Sequence, residues 1–276
     1  MANNYSHLLE PEQLASRLGE DNLLIVDLCS DQQYAEGHVP GAVHVSPGAL
    51  MDGRPPAPGK LPTEERLSEL VTLLGLGPNT HVVIYDDEGG GWAGRMAWTL
   101  DVLGHTAWSY LNGGLIAWAR EGYPLETRTN VQSGEPRQVT IHQEPIAELD
   151  DIIRGLDTTE LRIWDARSRD EYLGIKSPSK RAGHIPGAIH CEWTALMDPE
   201  RHFRIRSDAG DYLANIGLTP DHDIITHCQS HHRSGFTYMV ARILGYPRIR
   251  GYHGSWSEWG NRDDTPIETG AVGKSQ

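Results

Sequence analysis

Short apolar runs alternate along this chain with stretches whose apolar residues recur at the period of a helix. In the first half the runs predict strands at 23–27, 42–45, 82–85 and 106–110, with helices over 11–18, 63–74 and 92–103. In the second half they predict strands at 162–165, 188–190, 223–227 and 249–251. Phe236, Met239, Val240, Ile243 and Leu244 lie at i, i+3, i+4, i+7 and i+8, a buried helix face that Gly245 closes. Alternation with short links implies an α/β fold, a mostly parallel sheet with helices on both faces. Ligands of such sheets gather outside the carboxyl ends of the strands.

The pattern also occurs twice. Leu24-Ile25-Val26-Asp27 answers Arg162-Ile163-Trp164-Asp165, and Tyr34 answers Tyr172. Gly37-His38-Val39-Pro40-Gly41-Ala42-Val43-His44 matches Gly183-His184-Ile185-Pro186-Gly187-Ala188-Ile189-His190 almost letter for letter. Gly75-Leu76-Gly77-Pro78 matches Gly217-Leu218-Thr219-Pro220, and Asn112-Gly113-Gly114 through Trp118 parallels His253-Gly254-Ser255 through Trp259. Matches in one order mean duplication. The expected domains are 1–125 and 146–276, joined by a linker over 126–145 rich in Thr, Gln, Pro and Gly, with one β-like run at 138–142. The second domain carries an insertion around 174–181.

At 276 residues the chain can bury two cores, and 38% hydrophobic with 22% charged content describes a globular protein. No apolar run approaches the roughly 18 residues of a membrane span. No basic-then-apolar segment opens the chain at Met1-Ala2-Asn3-Asn4-Tyr5, so neither membrane nor export is expected. A net charge of −14 argues against nucleic acid or an anionic membrane as partner. Cys29, Cys191 and Cys228 form no spaced framework, which points to a reducing cytoplasm.

The chemistry concentrates in His227-Cys228-Gln229-Ser230-His231-His232-Arg233-Ser234, between the apolar Ile224-Ile225 run and the helix that follows. A cysteine at a strand end, opening a tight loop into a helix, is where a thiolate is easiest to stabilise. Loop amides can turn toward the sulfur, while the helix dipole and Arg233 add positive potential. The repeat supplies an internal control: Asp86 stands opposite Cys228, and its loop, Asp86-Asp87-Glu88, carries no positive charge. Only the second half is equipped for chemistry. Gly89-Gly90-Gly91-Trp92-Ala93-Gly94 satisfies the dinucleotide fingerprint G-x-G-x-x-G. Its acidic flank would repel a pyrophosphate, so the glycines read as space for a tight turn and a close helix approach.

With the duplicated halves, Asp165-Ala166-Arg167, the 183–188 motif, Cys228 and Tyr252-His253-Gly254-Ser255-Trp256-Ser257-Glu258-Trp259-Gly260 in view, the chain resembles the two-domain rhodaneses, a family of sulfurtransferases. The resemblance runs from about Leu8 to Ile267. It implies tandem rhodanese-like domains, the family's catalytic cysteine at Cys228, an inactive first domain with Asp86 in its place, and neither metal nor cofactor. The loop is similar to a bacterial thiosulfate-type subgroup with Cys-Gln-Thr-His-His-Arg-Ser, Ser230 replacing the Thr. It departs from the Cys-Arg-Lys-Gly-Val-Thr of mammalian thiosulfate enzymes and the Cys-Gly-Ser-Gly-Val-Thr of mercaptopyruvate enzymes. The implied reaction moves a sulfane sulfur from thiosulfate to a thiophilic acceptor such as cyanide through a Cys228 persulfide. Thiols or sulfur-accepting proteins are alternative acceptors, and 3-mercaptopyruvate an alternative donor.

Around Cys228, the amides of Gln229, Ser230, His231, His232, Arg233 and Ser234 are expected to stabilise thiolate and persulfide. Arg233 either holds the sulfonate end of thiosulfate, since a guanidinium matches an oxyanion, or closes the loop. His231 and His232 either add positive potential or shape the loop. Arg167 is expected at the same mouth, contacting substrate, with Asp165 anchoring the turn or pairing with an arginine. Trp193 is either an apolar rim or an inter-domain core residue. His38 and His184 recur in both halves and read as structural, and Cys29 and Cys191 as packing residues. A zinc site at His227, Cys228, His231 and His232 lacks a second half with suitable spacing. Phosphatases of this fold use His-Cys-x5-Arg; the Cys-x4-Arg here is one residue shorter, a cradle suited to a single sulfur atom.

Overall fold

The computed structural model describes residues 5–270, so the export reading at residues 1–4 falls outside it. The first half runs β1 (Leu8–Leu9), α1 (Pro11–Ala15), β2 (Leu23–Asp27), α2 (Asp31–Glu36), β3 (Val43–His44), α3 (Glu64–Leu73), β4 (His81–Tyr85), α4 (Gly91–Val102), β5 (Trp108–Leu111) and α5 (Gly114–Arg120). The second runs β6 (Ile146–Ala147), α6 (Leu149–Gly155), β7 (Leu161–Asp165), α7 (Arg169–Leu173), β8 (Ile189–His190), β9 (Met197–Asp198), β10 (Arg204–Ile205), α8 (Ala209–Asn215), β11 (Asp223–His227), α9 (Arg233–Ile243), β12 (Ile249–Tyr252) and α10 (Ser255–Trp259). Each half builds a five-stranded sheet, β1-β5-β4-β2-β3 and β6-β12-β11-β7-β8, the same order twice. Every neighbour pair in both sheets is parallel. Only the second half adds the short antiparallel pair β9–β10.

The repeated Gly-His-x-Pro-Gly-Ala motif is a packing device. His38 donates through Nδ1 to the Tyr34 carbonyl at 2.7 Å and stacks on the Tyr34 ring at 3.8 Å. His184 does the same with Tyr172, at 2.7 and 3.7 Å. Both tyrosine hydroxyls then close the turn by donating to the carbonyls of Ala42 and Ala188, each at 2.8 Å.

The β-like run at 138–142 joins no sheet. Val139 and Ile141 lie against the core, but their amides donate to the Ser68 and Glu64 side chains of α3, so the alternation reflects packing along a helix. The insertion lies beside α10, with Arg181 N donating to the Gly260 carbonyl.

One continuous apolar core spans both halves, and each half also keeps its own outer core. The shared core exists because α4 and α9 cross with almost no side chain between them. A Cβ on Gly235 would stand 2.6 Å from the Arg95 nitrogen, and one on Gly94 would overlap the Gly235 backbone. Interhelical contact this close requires glycine at both positions. It sets the start of α4 against the loop that precedes α9. Among the described residues no helix is long and apolar enough to cross a membrane.

Candidate active site

Cys228 follows the last residue of β11, and α9 begins at Arg233. The Cys228 and Gln229 carbonyls accept from Trp256 N and Ser257 N at the start of α10, both at 2.9 Å. Those bonds commit both carbonyls to α10, and the loop amide that reaches the thiol is that of Ser234. His231 adopts a left-handed φ of 58°, the kind of reversal that makes successive amides converge on an anion. Ser255, also left-handed at φ 53°, accepts Cys228 N through its hydroxyl at 3.4 Å.

The first half displays the same cradle with an anion in it. Asp86 Oδ1 accepts Gly90 N at 2.8 Å and Glu88 N at 3.2 Å, while Oδ2 accepts Ala93 N at 3.0 Å. Its carbonyl accepts Leu115 N at 2.9 Å, as the Cys228 carbonyl accepts Trp256 N. Gly89 and Gly114 take the left-handed positions that His231 and Ser255 fill in the second half.

Cys228 is only 1% exposed. Burial pushes its thiol up, but the Arg233 charge and hydrogen bonds from the Ser234 hydroxyl and amide outweigh it, and the thiol lies below its ordinary range. The other two cysteines move the opposite way: burial drives Cys29 up and Cys191 to about 12. Both sit in apolar cores, as packing residues do. His231 is fully buried, and burial holds it well below the usual imidazole range, so it is neutral. Its Nδ1 lies 2.8 Å from Ser234 Oγ and its Nε2 meets no partner. With the proton on Nδ1, the Ser234 hydroxyl is free to donate to sulfur.

Arg233 is held from the side. Its Nη1 and Nη2 donate to the two Glu171 carboxylate oxygens at 2.6 and 2.9 Å. Burial would raise Glu171, but Arg233 outweighs it and holds the carboxyl at about 2. Glu171 is fixed in turn by the capping box of α7, accepting Ser168 N at 3.1 Å.

Arg167 does not face the mouth as expected. It is fully buried, donating from Nε and Nη2 to Asp165 and from Nη2 to the Gly183 carbonyl, with its guanidinium 4.2 Å from the Trp256 ring centroid. A charge at the end of β7 is taken up by the carboxylate two residues before it, which also accepts Arg167 N at 3.0 Å. His227, 3.6 Å from Asp165, is held by burial at about 4 and is neutral.

His232 pairs with Glu88 of the first half, its ring 4.3 Å from Trp92 and 5.6 Å from Trp193. Trp193 is half-buried and also meets Phe236 edge-on at 6.0 Å, on the seam between the halves. The fingerprint glycines serve this seam. A Cβ on Gly91 would overlap the His232 ring, one on Gly90 would stand 2.6 Å from Phe236, and one on Gly89 2.8 Å from Met197.

Sequence reasoning missed three residues here: Glu171, Ser255 and Ser179, whose hydroxyl accepts Gln229 Nε2 at 3.2 Å. Ser168-x-x-Glu171 is a legible capping box, and the match of Ser255 to Gly114 marks a backbone position that favours glycine. Ser179 lies in the insertion, where the repeat offers no counterpart.

Against known proteins, the rhodanese-like domain matches this chain twice, over residues 10–121 and 148–262. The chain belongs to the rhodanese family, as two tandem rhodanese-like domains. It is 52% identical to the thiosulfate sulfurtransferase of Pseudomonas aeruginosa over 95% of this chain and 96% of that one. It is 51% identical to the thiosulfate sulfurtransferase of Azotobacter vinelandii over the same shares. The 3-mercaptopyruvate sulfurtransferase of Escherichia coli is 31% identical over 86% of this chain and 85% of its own. The wild-type structure of EanB superposes with a TM-score of 0.85 at 22% identity, covering 96% of this chain and 69% of that one, which supports the fold alone.

Proposed function

We propose that this protein is a thiosulfate sulfurtransferase, a rhodanese, and that Cys228 carries the sulfur. The observation that carries the reading is the contrast among three buried cysteines: Cys29 and Cys191 lie in apolar cores, while Cys228 stands at a strand end with the Ser234 hydroxyl and amide and the Arg233 charge on its sulfur. The Cys228 thiolate attacks the outer sulfur of thiosulfate. The S–S bond breaks, sulfite departs with the electron pair, and Cys228 is left as a persulfide anion. Cyanide or a thiolate then attacks the terminal sulfur and the Cys228 thiolate returns, with no net oxidation. The Ser234 amide and hydroxyl serve both anions, so the loop need not rearrange between steps. Near-complete burial restricts the donor to one that presents a slim terminal sulfur. Three free cysteines suit a reducing compartment such as the cytoplasm.

The test is mass spectrometry after incubation with thiosulfate. One added sulfur on the peptide containing Cys228, removed by cyanide and absent from Cys228→Ser, is the expected result. Sulfur on Cys29 or Cys191, or on no cysteine, overturns the reading. A higher kcat/KM for 3-mercaptopyruvate than for thiosulfate would reassign the donor and leave the carrier in place.

A further inference from the structure

Several side chains around the Cys228 loop that can carry positive charge are matched to carboxylates. Arg233 is bound to Glu171, Arg167 to Asp165, Lys60 to Glu258 at 2.8 Å, and His253 to Glu148 at 3.0 Å. His232 faces Glu88, while His227 and His231 are kept neutral by burial. Arg95, contributed by α4 of the half that has no nucleophile, has no carboxylate among the described residues and is fully buried.

Arg95 is fully buried, and no carboxylate among the described residues lies within ion-pair distance. Its partners are backbone carbonyls: Nη1 donates to Gly59 O at 2.8 Å, and Nη2 to Leu50 O at 2.7 Å. Nε has no partner. The guanidinium lies 4.7 Å from the centroid of Trp98, and Trp98 meets His231 edge-on at 4.5 Å. Gly59 is pressed so closely on the Ser230 carbonyl that a Cβ there would overlap it. The Arg95 backbone sits against Gly235, two residues beyond Arg233. A buried guanidinium without a counter-charge is costly, and here its hydrogen bonds go to the segment seated on the Cys228 loop.

We propose that Arg95 is a positioning residue of the Cys228 site. It clamps the segment from Leu50 to Lys60 onto the Ser230 carbonyl, and so holds the loop in which the Ser234 donors and the Arg233 charge meet the thiolate. Burial lowers Arg95 to about 9, and the charge that pulls it back up is Cys228. The duplicated first half is then part of the active site, though it lacks a nucleophile. This inference rests on Cys228 being the carrier.

The test follows alkylation of Cys228 by iodoacetamide across pH, located by peptide mass spectrometry, in the wild type, Arg95→Gln and Arg95→Lys. Arg95→Gln is expected to shift the profile to higher pH, with the rate below the midpoint falling about three-fold or more. Arg95→Lys, which keeps a donor but not the fork, should fall between. A purely structural arginine would lower thermal stability and leave the profiles superimposed, and that result overturns the proposal. Should Arg95→Gln fail to fold, Arg95→Lys decides: an ammonium cannot span the Gly59 and Leu50 carbonyls as the guanidinium fork does, so superposition on the wild type overturns the proposal there too. If the wild type gains no sulfur on Cys228 from thiosulfate, the carrier reading itself has failed, a result distinct from unmoved profiles.

Discussion

Arg233 gives both outer nitrogens to the Glu171 carboxylate, at 2.6 and 2.9 Å, so its fork is committed within the second domain. It acts on Cys228 by its field, from a place fixed by the capping box of α7. Replacing it should therefore impair the thiol before it impairs substrate affinity. Arg233→Gln is expected to slow alkylation of Cys228 about ten-fold at neutral pH, the equivalent of one pKa unit, and to recover at alkaline pH where the thiolate forms unaided. A raised KM for thiosulfate with an unmoved alkylation profile would return Arg233 to the sulfonate-binding role its chemistry first suggests.

Acid should weaken the fold in two stages. His227 is held at about 4 and His231 well below the ordinary value, so the unfolded chain binds protons that the folded one refuses. Their stabilisation is complete above the unfolded value near 6.5 and is lost as pH falls toward 4, at roughly 1.4 kcal/mol per pH unit for each ring. Glu171, depressed to about 2, adds a second loss below the ordinary carboxylate range. Thermal melts from pH 8 downward should show the first decline beginning near 6.5, and His227→Gln should make it shallower, with the His231 contribution remaining. A flat melting temperature down to pH 5 would contradict the assignment of both rings as buried and neutral.

Much of this was legible in the residues. Strands 23–27 and 223–227 lie where the apolar runs put them, because a parallel strand buried on both faces reads as an uninterrupted run. β1 and β6 were missed since two residues carry no periodicity; they are strands only because β5 and β12 offer an edge to pair with. The duplication exposed Asp86 against Cys228, yet it could not reveal Glu171 or Arg95. Glu171 reaches Arg233 from another helix, and Arg95 reaches the loop from the other half. Arg167 was misplaced for a similar reason: adjacency to a strand end says nothing about whether a charge turns to solvent or back onto Asp165.

The helix crossing yields a stability prediction. Gly235→Ala places a methyl 2.6 Å from the Arg95 nitrogen, a backbone atom that cannot swing aside. The cost should be about 1–3 kcal/mol, the usual penalty for overpacking. It should appear as a lower melting temperature together with slower sulfur uptake at Cys228, since the same contact seats the two halves. Gly41→Ala is the control: that position opens to empty space, so it costs only the strain of its positive φ of 80° and leaves sulfur uptake unchanged.

The last prediction asks whether the cradle alone is enough. Asp86 already sits among inward amides, and yet burial followed by Glu88 raises its carboxyl to about 6. A thiol there would have the amides without an arginine, beside an acidic neighbour, and beneath Phe236 and Met197, which crowd Gly90 and Gly89. Asp86→Cys in a Cys228→Ser background should therefore take no sulfur from thiosulfate, and its alkylation should be at least ten-fold slower than that of Cys228, again one pKa unit or more. Uptake of sulfur at position 86 would mean that loop amides suffice to make the thiolate, and that Arg233 and Arg95 contribute little to it.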